Sequence, residues 1–321
     1  MRSAPPARCR RWRRAGAILL LLGLAGCETI GYYGQAIGGQ LSVTFARQPI
    51  ARVLEDPDTS PALRQRLQAS AQMLDYLEAQ LGFKAGRRYR SYVQLNRDAV
   101  VYNLVATRVY SVVPHRWCYP IAGCAPYRGY FSEQAASRAA ARYRSRGYTT
   151  TIGRVPAYST LGWFADPLLS SFVFWNDAEL MTLLAHELSH SRVWVDSDVA
   201  FNEGFASFVG EQAAREWLQQ KQPELLAQHQ SEQRQWRALV GLMGQLKAVL
   251  AGGYATAASD AEKAKLTDAA YAAFKRCYSR HRARLGAGRY DAYTASVNNA
   301  TLAALSTYRD NIPAFALLYQ R

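Results

Sequence analysis

Apolar residues recur at helical spacing along most of the chain, and two stretches interrupt that rhythm with strand-like patterns. Residues 30–55 read as mostly helical. Residues 60–82 carry Leu63, Leu67, Leu74, Leu77 and Leu81 on one face, with Ser60 as N-cap, Pro61 in the first turn and Gly82 at the stop. From Tyr89 to Val113 the β-branched and aromatic run VVYNLVATRVYSVV predicts extended structure, closed by Pro114. Residues 117–131 are rich in Gly, Pro and Tyr and read as an ordered loop. A short helix follows over 132–146, stopped at Gly147, and 148–165 returns to strand, interrupted by Pro156 and Gly162. Beyond Asn176 every segment reads as helix: 177–194, 201–220, 223–250, 259–285 and 289–310, with breaks at Gly252-Gly253 and Gly286 to Gly288. The expected fold class is α+β, a small mixed lobe over 27–175 followed by an all-helical lobe over 176–321.

The N-terminus changes what counts as the folded chain. Residues 1–14 hold six arginines and no acid, and residues 15–26, AGAILLLLGLAG, are apolar but shorter than the roughly 20 residues a membrane span needs. The sequence Leu24-Ala25-Gly26-Cys27 resembles the lipobox of bacterial lipoproteins. That resemblance implies a leader over 1–26, cleavage before Cys27 and lipid on its thiol, with an ordinary secretory signal as the other reading. Glu28 follows instead of Asp, which favours the periplasmic face of the outer membrane within the bacterial cell envelope.

Composition sharpens this picture. Among 321 residues, 49% are hydrophobic and 20% charged, which excludes a disordered chain. The formal charge of +15 falls to +9 once the six leader arginines are removed, and the remaining basic residues are scattered, so no nucleic-acid partner is expected. Of five cysteines, Cys9 and Cys27 belong to the leader and the lipid site. Cys118 and Cys124, six apart, would close a disulfide in an oxidising compartment, a metal pair being the alternative. Cys277 falls on an apolar helical phase and reads as a buried thiol.

One segment carries chemistry, DAELMTLLAHELSHSRVWVDSDVAFNEGFASFVGEQAAREWL, residues 177–218. His186 and His190 are four residues apart, one turn along the same helical face, so both imidazoles can meet one Zn²⁺. Glu187 points beside such an ion, where it can take a proton from metal-bound water. A catalytic zinc needs a third protein ligand and an open position. Glu203, at the start of the next helix after a polar turn over 195–200, is the choice for an antiparallel helical pair. Asp196 and Asp198 are competing ligands, a simple first-turn Glu is the bland reading of Glu203, and Glu211 reads as supporting or surface. His115, His229 and His281 lack ligand spacing, and His229 reads as surface.

HELSH followed by FNEGFASF resembles the paired motifs of gluzincin metallopeptidases, especially membrane alanyl aminopeptidases. The wider chain, including YRGYF, VPAYSTLGWFADPLL and NNATLAALSTY, resembles a bacterial family of lipoprotein aminopeptidases. The resemblance implies one zinc ion held by His186, His190 and Glu203, Glu187 as general base, and a peptide or protein substrate. The spacing between the two motifs is several residues shorter than in the alanyl enzymes, and no GAMEN-like segment supplies an amine anchor. VPAYSTLGWFAD holds that place, making Ser159, Thr160 and Gly162 candidates for substrate contact. Tyr127 and Arg128 are further candidates on an aromatic loop. Tyr254, Tyr290, Tyr293 and Tyr308 are all available to stabilise an oxyanion. An envelope endopeptidase or cell-wall amidase, and a non-catalytic lipid-anchored binding protein, are the rival functions.

Overall fold

A computed structural model describes residues 31–119, 123–157, 165–196, 198–305 and 312–319. The chain divides into two compact units, one ending at Ala46 and the other spanning Arg47–Arg321. In the first, residues 31–45 form helix α1. The second has the expected α+β build.

Its opening elements are β1 (Gln48–Pro49), α2 (Ile50–Glu55) and α3 (Pro61–Leu81). Helix α3 starts as its sequence dictates. Ser60 accepts from the Leu63 N–H, Pro61 fills the first turn, and Gly82 closes the helix at a φ of 64°. The extended stretch resolves into β2 (Ser91–Val93) and β3 (Val101–Arg108). The segment expected to be a loop is more regular. It contains β4 (Trp117–Tyr119), β5 (Gly123–Ala125) and β6 (Arg128–Tyr130), with a Cys118–Cys124 disulfide across the β4–β5 hairpin. Pairing with β3, through Tyr102↔Tyr130 and Leu104↔Arg128, turns Arg128–Tyr130 into a strand despite the glycine inside it. Helix α4 (Glu133–Ser145), β7 (Tyr148–Val155) and β8 (Leu168–Leu169) complete this half.

The strands form two small sheets and the hairpin, ordered β1-β2-β8 and β6-β3-β7. In the second sheet β3 and β7 run antiparallel over eight pairs, from Val101↔Val155 to Arg108↔Tyr148. Helix α4 packs on this sheet, and its buried Ala136, Ala139 and Ala140 allow close approach.

The helical half comprises α5 (Asp177–Ser189), α6 (Val199–Lys221), α7 (Pro223–Thr256), α8 (Asp260–His281), α9 (Asp291–Ser296), α10 (Asn299–Leu305) and α11 (Ile312–Tyr319). Four boundaries depart from expectation, one of them the end of α8, at His281 in place of 285. Helix α7 runs through Gly252-Gly253 because Gly253 is a packing site: a Cβ there would lie 1.9 Å from Leu266 Cδ2 of α8. The helix expected over 289–310 divides into α9 and α10, since Asn298 Oδ1 accepts from the N–H groups of Ala300 and Thr301 and starts a new helix. Helix α5 ends five residues early, at Ser189. The α7–α8 core is apolar, built on Leu239, Met243, Leu246, Leu250 and Phe274. Cys277 lies half-buried beside that seam, not fully enclosed as its phase suggested.

Candidate metal centre

Helix α5 is fixed at its N-terminus before it presents any chemistry. Asn176 caps it by accepting from the Glu179 N–H at 2.9 Å. Arg66 of α3 reaches three acceptors there: Asp177 Oδ1 at 2.6 Å, the Trp175 carbonyl at 2.7 Å and the Val173 carbonyl at 2.9 Å. Gln222, at the α6–α7 junction, donates to the other Asp177 oxygen. A guanidinium used as a fork in this way orients a helix end more firmly than a point charge could.

The other end turns sharply. His190 is the C-cap of α5, and i→i+3 bonds from Ser191 to Leu188 (3.2 Å) and from Arg192 to Ser189 (2.8 Å) tighten the exit. The side chain of Asn202, which is 1% exposed, then clasps Val195. The Val195 N–H donates to Asn202 Oδ1 and Asn202 Nδ2 donates to the Val195 carbonyl, both at 2.8 Å. Asp198 caps α6 by accepting from the Phe201 N–H. The tightened exit ends the helix at Ser189, ahead of the expected end at Trp194, and the clasp holds the turn that follows. The Trp194 ring instead packs edge-on against His190 at 5.6 Å.

The two helices then approach closely. Gly210 of α6 faces the Thr182 carbonyl of α5, and a Cβ at 210 would sit 2.5 Å from that oxygen. Close approach brings Glu203 to the imidazole pair. Its Oε2 lies 3.3 Å from His186 Nε2 and its Oε1 3.7 Å from His190 Nε2. One donor atom from each of the three residues falls within 4.8 Å of the others. Ligands held at 2.0–2.1 Å around a tetrahedral ion are about 3.3 Å apart, so two imidazoles and a carboxylate at these separations could hold a metal ion. Asp198 is committed to its cap, and the cluster includes neither it nor Asp196. Glu211, two turns beyond Glu203, is buried and ion-paired with Arg237.

Electrostatics separate the roles these groups can take. Burial lowers the His190 pKa to about 4, helped by His186 and opposed by Glu203, so its imidazole is neutral at pH 7 and its lone pair is available. Burial also depresses His186, but the hydrogen bond to Glu203 and the charges of Glu187 and Glu203 outweigh it and leave its pKa raised. Glu187 is pushed up to about 7, chiefly by burial, with His186 pulling the other way and Glu203 and Asp166 adding to the rise. A carboxyl poised there can both accept and release a proton near neutrality, and a cation beside it would favour its charged form.

A cavity of about 270 Å³ opens onto His186 and Glu187, walled by Trp175, Glu179, Thr182, Leu183, His229 and Gln233. His229, expected on the surface, is half-buried in this wall. Its helix carries no signal of that, because the placement comes from α7 docking beside α5. Sequence reasoning also missed Tyr89 and Asp166. Tyr89 is buried with a left-handed φ of 59°, and its N–H donates to the Asp166 carbonyl at 2.6 Å. Burial and the nearby charges of Glu187 and Asp166 hold its phenol well above the usual value. A left-handed non-glycine backbone is the sign that a sequence does not carry.

The remaining candidates scatter. Tyr127 packs on the Val105, Ala300 and Ala303 cluster, and Arg128 is buried in β6 with its guanidinium over the Tyr130 ring. Tyr254 bonds Thr267 and Asn299 in the helical core, while Tyr290 and Tyr293 pack at a tilt against Trp236. None of these lines the cavity beside Glu187. Ser159, Thr160, Gly162, Tyr308 and Cys27 lie outside the described residues.

Fold and cluster together define a class, an α+β protein with a candidate metal centre on a helical hairpin. The chain belongs to the family described as putative aminopeptidase, whose model matches residues 31–321, and this makes the class a peptidase family. Comparison with curated proteins and with solved structures finds no match.

Proposed function

We propose that this protein is a zinc-dependent metallopeptidase of the gluzincin type that removes residues from the N-terminus of peptides. The observation that carries the reading is the convergence of His186, His190 and Glu203 beside a cavity that also exposes the buried Glu187. Zinc at that cluster would act as a Lewis acid, polarising the scissile carbonyl and lowering the pKa of water. Glu187 takes a proton from the attacking water onto its carboxylate. It returns that proton to the amine as the C–N bond breaks, so the group ends as it began. His190, neutral at pH 7, and His186, paired with Glu203, would hold the ion. Membership in an aminopeptidase family supports the exopeptidase assignment.

The same proposal includes export and a lipid anchor at Cys27, on the lipobox-like Leu24-Ala25-Gly26-Cys27, with the folded unit at the periplasmic face of the outer membrane. Cys27→Ser should release the chain from the membrane fraction, and an unchanged distribution would remove the anchor.

Metal analysis of the purified mature chain, followed by digestion of a peptide library with and without chelator, tests the chemistry. One equivalent of zinc and chelator-sensitive loss of N-terminal residues are expected. Cleavage of blocked and free peptides alike would make the enzyme an endopeptidase, and hydrolysis that survives complete removal of metal would end the zinc assignment.

A further inference from the structure

A second cavity, of about 490 Å³, lies between the β3–β7 sheet, on the face where α10 packs, and helices α7 and α10. Its floor follows from strand alternation. Val105 pairs with Thr151 and Asn103 with Gly153, so these side-chain positions share one face. Gly153 leaves that floor open: a Cβ there would have only the Asn103 carbonyl oxygen nearby, at 4.0 Å. Glycine inside a strand weakens it, and it often marks a place where a ligand comes close. Three half-buried aromatic residues, Tyr127, Trp236 and Tyr293, form the walls. Among the described lining residues the one charged side chain is Arg154, and it is paired with Asp98 at 2.9 Å and Glu133 at 3.3 Å. A charged guest would find no counter-charge there, whereas an apolar one would lose only water.

Helix α7 ties this cavity to the candidate metal centre. His229 and Gln233 wall the cavity that holds His186 and Glu187, and Trp236 walls the apolar one. Spacings of four and three residues put all three on one stripe of the helix. At 1.5 Å per residue, Trp236 is roughly 5 Å along the axis from Gln233 and roughly 10 Å from His229. An extended peptide advances about 3.3–3.6 Å per residue.

We infer that this cavity is a specificity subsite that receives a large apolar side chain, aromatic or branched aliphatic, lying within about three residues of the cleaved bond. The inference rests on the peptidase reading given above. The volume suits it, since about 300–1,000 Å³ is the usual range for a ligand pocket and a large side chain enters with part of its backbone.

The test uses the full chain and a series of five-residue alanine peptides, each with one phenylalanine moved from the first to the last position. Equilibrium binding to the Glu187→Gln variant is measured beside hydrolysis by the zinc-loaded wild type. Phenylalanine at one position should raise affinity over the all-alanine peptide by about tenfold or more. In Gly153→Leu, which fills the floor, and in Trp236→Ala, which removes a wall, that ratio should fall towards one. The two variants alter opposite sides, so a folding failure of one leaves the other to decide. A preference that survives in both, or the absence of any positional preference in binding, overturns the subsite. Peptides that bind with the expected preference but are never cleaved would instead overturn the peptidase reading and leave the apolar subsite standing.

Discussion

The chain contains two antiparallel helical pairs that use glycine for close approach and put the closeness to opposite ends. In α5–α6, Gly210 meets the Thr182 carbonyl, and the space so gained is filled by polar groups: Glu187, Ser189, His190, Asn202 and Glu211 are all buried. In α7–α8, Gly253 meets the Leu266 side chain, and the seam is Leu239, Met243, Leu246, Leu250 and Phe274. The first pair buries groups whose burial costs free energy unless each finds a partner. The second recovers free energy from every apolar atom it covers. The contrast places the polar burial beside the candidate metal cluster and the apolar burial away from it. The His186, His190 and Glu203 atoms face one another across 3.3 and 3.7 Å, a neutral imidazole and a second, more basic one against a single carboxylate.

The largest test of this contrast is chemical. Glu187→Gln should retain zinc and lose about 10²–10⁴-fold in turnover, the usual contribution of a positioned acid–base group, measured as kcat on a free-amine peptide. Near-full activity would remove Glu187 from the reaction. Glu203→Ala should next lower metal content well below one equivalent by elemental analysis, and normal binding would send the search to Asp196 or Asp198. Gly210→Ala forces a Cβ into a backbone oxygen that cannot rotate away. It should cost about 1–3 kcal/mol by denaturant titration and about 10–100-fold in zinc affinity, as for groups that orient ligands. Gly253→Ala meets a leucine side chain, which can change rotamer, and no backbone atom, so its cost should be smaller and zinc affinity should not move. Equal effects of the two glycine substitutions on metal binding would erase the distinction between the hairpins.

The smallest effect lies outside both. His115 sits among the rings of Trp117, Tyr143 and Tyr148, and burial, then Arg108, lowers its pKa below the ordinary 6.5. The unfolded chain therefore takes up the proton first as pH falls. Stability from this site is complete above pH 6.5 and declines below it. His115→Phe should flatten the stability profile just below pH 6.5 and leave zinc affinity unchanged.

Much of the candidate site was legible because it is local. His186 and His190 are one helical turn apart, and Glu203 follows a short polar turn, so little beyond helix geometry and a return of the chain is needed to bring them together. The place where α5 ends was not legible, because the clasp of Asn202 on Val195 joins residues that no periodicity links. Gly252-Gly253 looked like a break for the same reason: a glycine pair that stops a helix and one that admits a neighbouring leucine are identical along the chain. The segment from Trp117 to Tyr130 hid its strands because their regularity comes from pairing, β4 with β5 and β6 with β3.

What the amino-acid order decided by itself, then, was the α+β plan and the residue types within one turn of each other, since backbone geometry acts over a few residues. Only the tertiary structure decided that His229, Tyr89 and Asp166 stand near Glu187, and that Gly153 opens the floor of an apolar cavity. Those neighbours are chosen by how whole helices and strands dock. Docking depends on surfaces assembled from distant parts of the chain.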